Sequence, residues 1–168
     1  FRFDEGENSV VRPLEPVVSK AYDAIVISDY NKGFITPESY QKLRAQVGSD
    51  IPIFVDSKKA ALSIFEDCIL KINESEASRA HIKKTQNVVV TLGGLGARWA
   101  EQIFKTEKVD VYDVCGAGDV FLSALVYGYL RYRDMPEAIV LANKCASLSV
   151  TKMGTYVLTK EDINGLCI

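Results

Sequence analysis

Asp113-Val114-Cys115-Gly116-Ala117-Gly118-Asp119 is the stretch on which the reading of this chain turns. It follows a strand-like run, Val109-Asp110-Val111-Tyr112, and opens an apolar run from Val120 to Leu130 that predicts a helix over 119–131. The first backbone N–H groups of a helix have no intrahelical partner, and the helix dipole favours negative charge there. Glycines at such a start let an anion approach the backbone, so the turn suits the oxygens of a transferring phosphoryl group. Asp119 would stand beside that hole, placed to take a proton from a hydroxyl. The same residues also suit a plain helix start in which Asp119 caps the first turn.

Outward from this turn, strand-like and helix-like runs alternate. Ala24 to Ile27, Ile53 to Val55, Cys68 to Ile72 and Val88 to Leu92 are short β-branched apolar runs, as expected of strands buried on both faces. Thr36-Pro37-Glu38 starts a helix through Leu43; further helices are predicted over 119–131 and 136–150, with a short one capped at Thr159. Gly96 to Phe104 and Lys108 to Tyr112 read as an antiparallel pair. The sum is an α/β fold, an open, mostly parallel sheet with helices on both faces, whose ligands bind outside the carboxyl ends of the strands.

Composition removes other classes. The chain has 168 residues, 48% of them apolar, and a formal charge of −2. That is enough for one core in one domain, 1–168, and it lacks the basic field of a nucleic-acid surface. No run reaches the length of a membrane span and the start has no signal-peptide order, so the expectation is a cytoplasmic protein. Cys68, Cys115, Cys145 and Cys167 have neither metal-ligand nor disulfide-scaffold spacing and read as reduced thiols.

Other residues carry candidate chemistry. Asn73 and Glu76 are oxygen donors at i, i+3 spacing that suit water-mediated ordering of Mg²⁺, and they equally fit a capping box with Asn73 as N-cap. Thr91, Gly93, Gly94 and Gly96 follow a buried strand, where missing side chains leave room for a nucleotide; a tight turn into a hairpin needs the same glycines. Lys58 is a candidate phosphate contact, although a solvated lysine is the commoner fate. Asp29 and Lys32 share that ambiguity.

The Asp113–Asp119 stretch resembles the signature of ribokinase-type carbohydrate kinases, the PfkB family. Asn73-Glu74-Ser75-Glu76 looks like that family's N-x-x-E element, and Thr91 to Gly96 like its nucleotide-side glycine turn. Ser28 to Gly33, Val55 to Lys58 and Val150 to Thr155 are most similar to kinases of heptose 7-phosphate. The resemblance, from about Ala24 to Ile163, implies a ribokinase-like fold and ATP-dependent phosphoryl transfer to a sugar or sugar phosphate. The acceptor it implies is D-glycero-D-manno-heptose 7-phosphate, with ribose, fructose or a nucleoside behind it; a non-catalytic nucleotide-binding regulatory domain is the reading from another class. It makes Asp119 the base, the amides of Ala117, Gly118 and Asp119 after Gly116 the anion hole, and Asn73 and Glu76 the Mg²⁺ residues. Asn143 falls on the adenine pocket, and Asp113, with carbonyls near Lys152 to Thr155, on a monovalent-cation (K⁺) site. A homodimer is the expected assembly. The resemblance covers only a C-terminal portion of such a kinase, so the N-terminal part and lid are expected to be missing. A break is expected near 77–81, where a crossover helix has little room between Glu76 and Val88.

Overall fold

The computed structural model describes residues 12–16, 22–83 and 86–166. Six strands form one sheet in the order β1 (Ile25–Asp29), β2 (Ile53–Ser57), β3 (Ile69–Asn73), β4 (Asn87–Thr91), β5 (Ala97–Trp99) and β6 (Gln102–Phe104). The first four are mutually parallel, and the last two continue the sheet antiparallel. The expected parallel strands are all present, to within a residue or two of their expected bounds. β2 is buried at every position because helices cover both faces of the sheet, which is why its sequence is apolar without alternation.

Two cores result. On one face α1 (Pro37–Val47) packs with Leu62 and Phe65 against Ile27, Val55, Leu70 and Ile72. On the other, α3 (Ala117–Tyr132) and α4 (Met135–Val150) cover Phe54, Ile69 and Val89, and α5 (Lys160–Leu166) follows. Burying a side chain such as Leu125 or Ile139 contributes about 1.5–3 kcal/mol, so these faces hold the layers together. α1 runs one turn past the expected Leu43. It starts on a capping box between Thr36 and Ser39, with Pro37 at its first turn, and stops at Gly48.

One expectation is corrected. Lys108 to Tyr112 is not a strand: β5 and β6 close on each other through the two-residue turn Ala100-Glu101, and among the described residues no strand lies beside 108–112. It is tied down by Tyr112 N–H and Asp113 N–H, both donating to Val150 O. At the β3–β4 crossover, where a break is expected, the described residues hold no full helix. A single turn, α2 (Glu74–Ala77), starts it, and His81 N–H donates to Ala60 O as the chain returns.

Candidate active site

The carboxyl ends of β1 to β4 bring Asp29, Ser57, Asn73 and Thr91 to one edge of the sheet. The start of α3 faces that edge across a cleft of about 950 Å³. Of the residues singled out in the sequence, Asp119, Gly116, Ala117, Gly118, Asn73, Thr91, Gly93, Gly94, Gly96, Lys58 and Asn143 all border it. Glu76 and Asp113 do not line it, for reasons visible in their hydrogen bonds.

α3 begins without a side-chain cap. Its N-cap, Gly116, has φ 78°, and a Cβ there would lie 2.9 Å from Thr155 Cγ2, so the turn requires glycine. Asp119 is exposed, and among the described residues nothing occupies its carboxylate. Of the amides expected to form an anion hole, Ala117 N–H donates to Val114 O at 3.2 Å and Asp119 N–H to Gly116 O at 3.0 Å, leaving the Gly118 N–H free among the described residues. A helix that starts on a left-handed residue closes its first amides onto the preceding turn.

Asp113 braces this turn. Its Oδ1 accepts from Cys115 N–H at 2.8 Å and its Oδ2 from Gly154 N–H at 3.1 Å, which pins the 113–115 loop to the 152–155 loop. Both carboxylate oxygens are thus already engaged, and among the described residues no cluster of metal-ligating side chains forms.

The Asn73–Glu76 pair forms the capping box in full. Asn73 Oδ1 accepts from Glu76 N–H, and Glu76 Oε2 accepts from Asn73 N–H, each at 2.8 Å, while Glu76 Oε1 accepts from Lys58 Nζ. The Glu76 carboxylate therefore turns into the cap and only Asn73 reaches the cleft. Burial opposes ionisation of Glu76, but the Asn73 N–H and the Lys58 ammonium outweigh it and hold its carboxyl below the usual range. The bond to Glu76 raises Lys58 in turn, against some desolvation. A lowered carboxyl stabilises the fold above its unfolded pKa and loses that contribution as pH falls through its folded pKa. Acidification through and below the ordinary glutamate range should thus depress the melting temperature more in the wild type than in Glu76→Gln, and equal slopes would contradict this. Asn73→Ala should cost about 1 kcal/mol in chemical denaturation through loss of the cap, whereas an unchanged midpoint would contradict a capping role.

Gly93 to Leu95 make a 3-10 turn rather than a simple β-turn. A Cβ at Gly93 or Gly94 would meet nothing within 4 Å, so this wall of the cleft is open. Gly96 serves the hairpin instead, because a Cβ there would lie 2.1 Å from Phe104 O. Asn143 is buried and donates to the same carbonyl at 2.8 Å. Beside it Thr106 Oγ1 and Ser147 Oγ are 2.6 Å apart. Val109, Val111 and Val114 complete an apolar wall, which is the use the fold makes of the 108–112 segment. Burial raises the Cys68 thiol to about 12, in keeping with an inert core thiol.

Sequence reasoning passed over two buried charges at the floor of the cleft. Lys71 and Asp56 face each other across β2 and β3, with Nζ and Oδ2 2.7 Å apart. The available signal was a lysine inside the apolar run Ile69 to Ile72. Asp29 is buried too, and it proves to be a brace: it accepts from Ser57 Oγ at 2.8 Å and Asn31 N–H at 3.0 Å, with Lys59 Nζ at 3.3 Å.

Known proteins resemble this chain in sequence and in fold. HldE of a Nitratiruptor species, a bifunctional protein, is 34% identical over 168 aligned residues, which cover 87% of this chain and 36% of that protein. HldE of Campylobacter curvus is 31% identical over 88% of this chain and 36% of its own length. The chain thus spans about a third of the length of these relatives. A ribokinase from Thermotoga maritima superposes with a TM-score of 0.65 at 21% identity, over 84% of this chain and 56% of that one. The nucleoside kinase of Methanocaldococcus jannaschii does so with 0.68 at 19%, over 89% and 57%. These likenesses make the fold ribokinase-like. The sequence profile of pfkB family carbohydrate kinases matches residues 50–162, a span that holds the Asn73–Glu76 cap, the Gly93–Gly96 turn and the Gly116–Asp119 helix start, and the chain belongs to that family.

Proposed function

We propose that this chain forms the nucleotide-side portion of an ATP-dependent kinase that phosphorylates a hydroxyl of a sugar or sugar phosphate. The observation that carries the reading is a cleft in which a carboxylate unengaged among the described residues, Asp119, stands beside the Gly118 N–H, likewise free among them, and opposite the open Gly93–Gly94 wall. The dimensions fit a nucleotide: an apolar wall at Val109, Val111 and Ala146 suits a base, and the α3 start suits phosphate. Asp119 accepts the proton of the acceptor hydroxyl as that oxygen attacks the γ-phosphorus and the bond to the leaving ADP breaks. The α3 start stabilises the charge that develops.

Mg²⁺, when bound, neutralises the nucleotide phosphates; Asn73, the member of the cap that lines the cleft, is the residue placed to order it through water. Glu76 acts behind it by fixing the Asn73 backbone. A K⁺ ion near Asp113 would share oxygens that already brace two loops. The remaining strands and lid of the kinase, additional chain at the short β3–β4 crossover, cytoplasmic residence and a homodimer belong to this reading as well. No described helix is long and apolar enough to cross a membrane.

Heptose 7-phosphate is the proposed acceptor, because the Ser28–Gly33, Val55–Lys58 and Val150–Thr155 stretches resemble kinases of that sugar and HldE proteins are among the relatives. Acceptor-dependent ADP release by the full-length protein tests this. D-glycero-D-manno-heptose 7-phosphate should give a higher kcat/KM than ribose, fructose, fructose 6-phosphate or a nucleoside. A preference for one of those would reassign the acceptor, and no acceptor-dependent release would favour a regulatory nucleotide-binding role.

A further inference from the structure

Lys71 lies in a strand whose neighbours Leu70 and Ile72 are fully buried, and its side chain is only 5% exposed. Asp56, at 9%, is its partner, yet the second oxygen of that carboxylate, Oδ1, is buried and has no partner among the described residues. Taking two charges out of water is costly, and apolar pairs of similar size often serve stability as well or better. Stability alone therefore gives little reason for this pair, and its position gives a better one. Both residues line the cleft, and a Cβ added at Gly118 would lie 3.0 Å from Lys71 Nζ. The ammonium thus sits against the first turn of α3, next to the Gly118 N–H that is free among the described residues, with one of its own three N–H groups given to Asp56. An anion with several oxygens placed there meets the helix end and a full positive charge at once.

We propose that Lys71 binds the transferring phosphoryl group from the floor of the cleft and that Asp56 is a positioning residue that holds the ammonium in place. This rests on the kinase reading and adds to it a charge that the helix start alone does not supply. The γ-phosphate is present in ATP and absent from ADP, so the two nucleotides separate a phosphoryl contact from a structural role.

Calorimetric titration of the full-length protein with ATP and with ADP, both with saturating Mg²⁺, is the test. The wild type should prefer ATP, and Lys71→Met should reduce that preference roughly 10- to 100-fold while ADP affinity stays close to wild type. Lys71→Arg should retain most of it. Lys71→Met leaves Asp56 buried without its partner, so Lys71→Met/Asp56→Asn, which removes both charges, provides a variant without an orphaned ion and should show the same loss. An unchanged ATP-to-ADP ratio in either folded methionine variant overturns the assignment of Lys71 alone. Failure of the wild type to bind either nucleotide overturns the kinase reading and this inference together.

Discussion

Asp119→Asn is expected to lower turnover by about 10²–10⁴-fold while leaving ATP affinity nearly unchanged. The amide keeps the size and polarity of the side chain but cannot take a proton at neutral pH. Asp119 suits the role because it is exposed to the cleft and unengaged among the described residues, so deprotonating an acceptor does not first require breaking an ion pair. If the residue served only the helix dipole, the substitution would cost about 0.3–1 kcal/mol of stability and leave kcat alone. Steady-state rates at saturating ATP, paired with thermal unfolding of the same variant, separate the two. A kcat within a few-fold of wild type would remove Asp119 from the chemistry.

Gly96→Ala and Gly94→Ala should behave in opposite ways although the glycines are two residues apart. At Gly96, φ is +98° and a Cβ would lie 2.1 Å from Phe104 O and 2.9 Å from Thr106 N. Those atoms are backbone, and Phe104 O is also held by Asn143, so they cannot give way cheaply. Overpacking joined to a left-handed conformation is expected to cost on the order of 3 kcal/mol. At Gly94 a Cβ meets nothing within 4 Å, so stability should hold while the methyl intrudes on the nucleotide's wall and raises KM for ATP. Denaturant midpoints and ATP kinetics on both variants decide this, and equal losses of stability at the two positions would contradict the division of roles.

The sheet was legible because parallel strands buried on both faces leave unbroken apolar runs, and the start of α1 because Thr36 and Pro37 mark it by local geometry, whereas its end at Gly48 lies a turn past the expected Leu43. Local pattern failed where tertiary partners decide. Val109-Asp110-Val111 alternates like a strand, yet the β5–β6 hairpin closes on itself and leaves that segment to wall the cleft. Of the two uses open to Asn73 and Glu76 in sequence, the structure shows the cap, since Glu76 also has Lys58 within reach from β2's end. Asp113 carries nothing in its own sequence to show that Gly154, 41 residues on, will occupy it. Lys71 was hidden for a related reason. A lone lysine in an apolar run acquires meaning only when strand register sets Asp56 beside it and α3 crosses above.

A crystal structure of the full-length protein with a non-hydrolysable ATP analogue, Mg²⁺ and a sugar-phosphate acceptor would place nucleotide, acceptor and Asp119 in one view. The γ-phosphate is expected at the Gly118 N–H, the triphosphate along Gly93 and Gly94, and the Asp119 carboxylate within hydrogen-bonding distance of one acceptor hydroxyl in line with that phosphorus. A nucleotide bound away from this cleft, or an Asp119 carboxylate turned from the acceptor, would contradict the kinase reading.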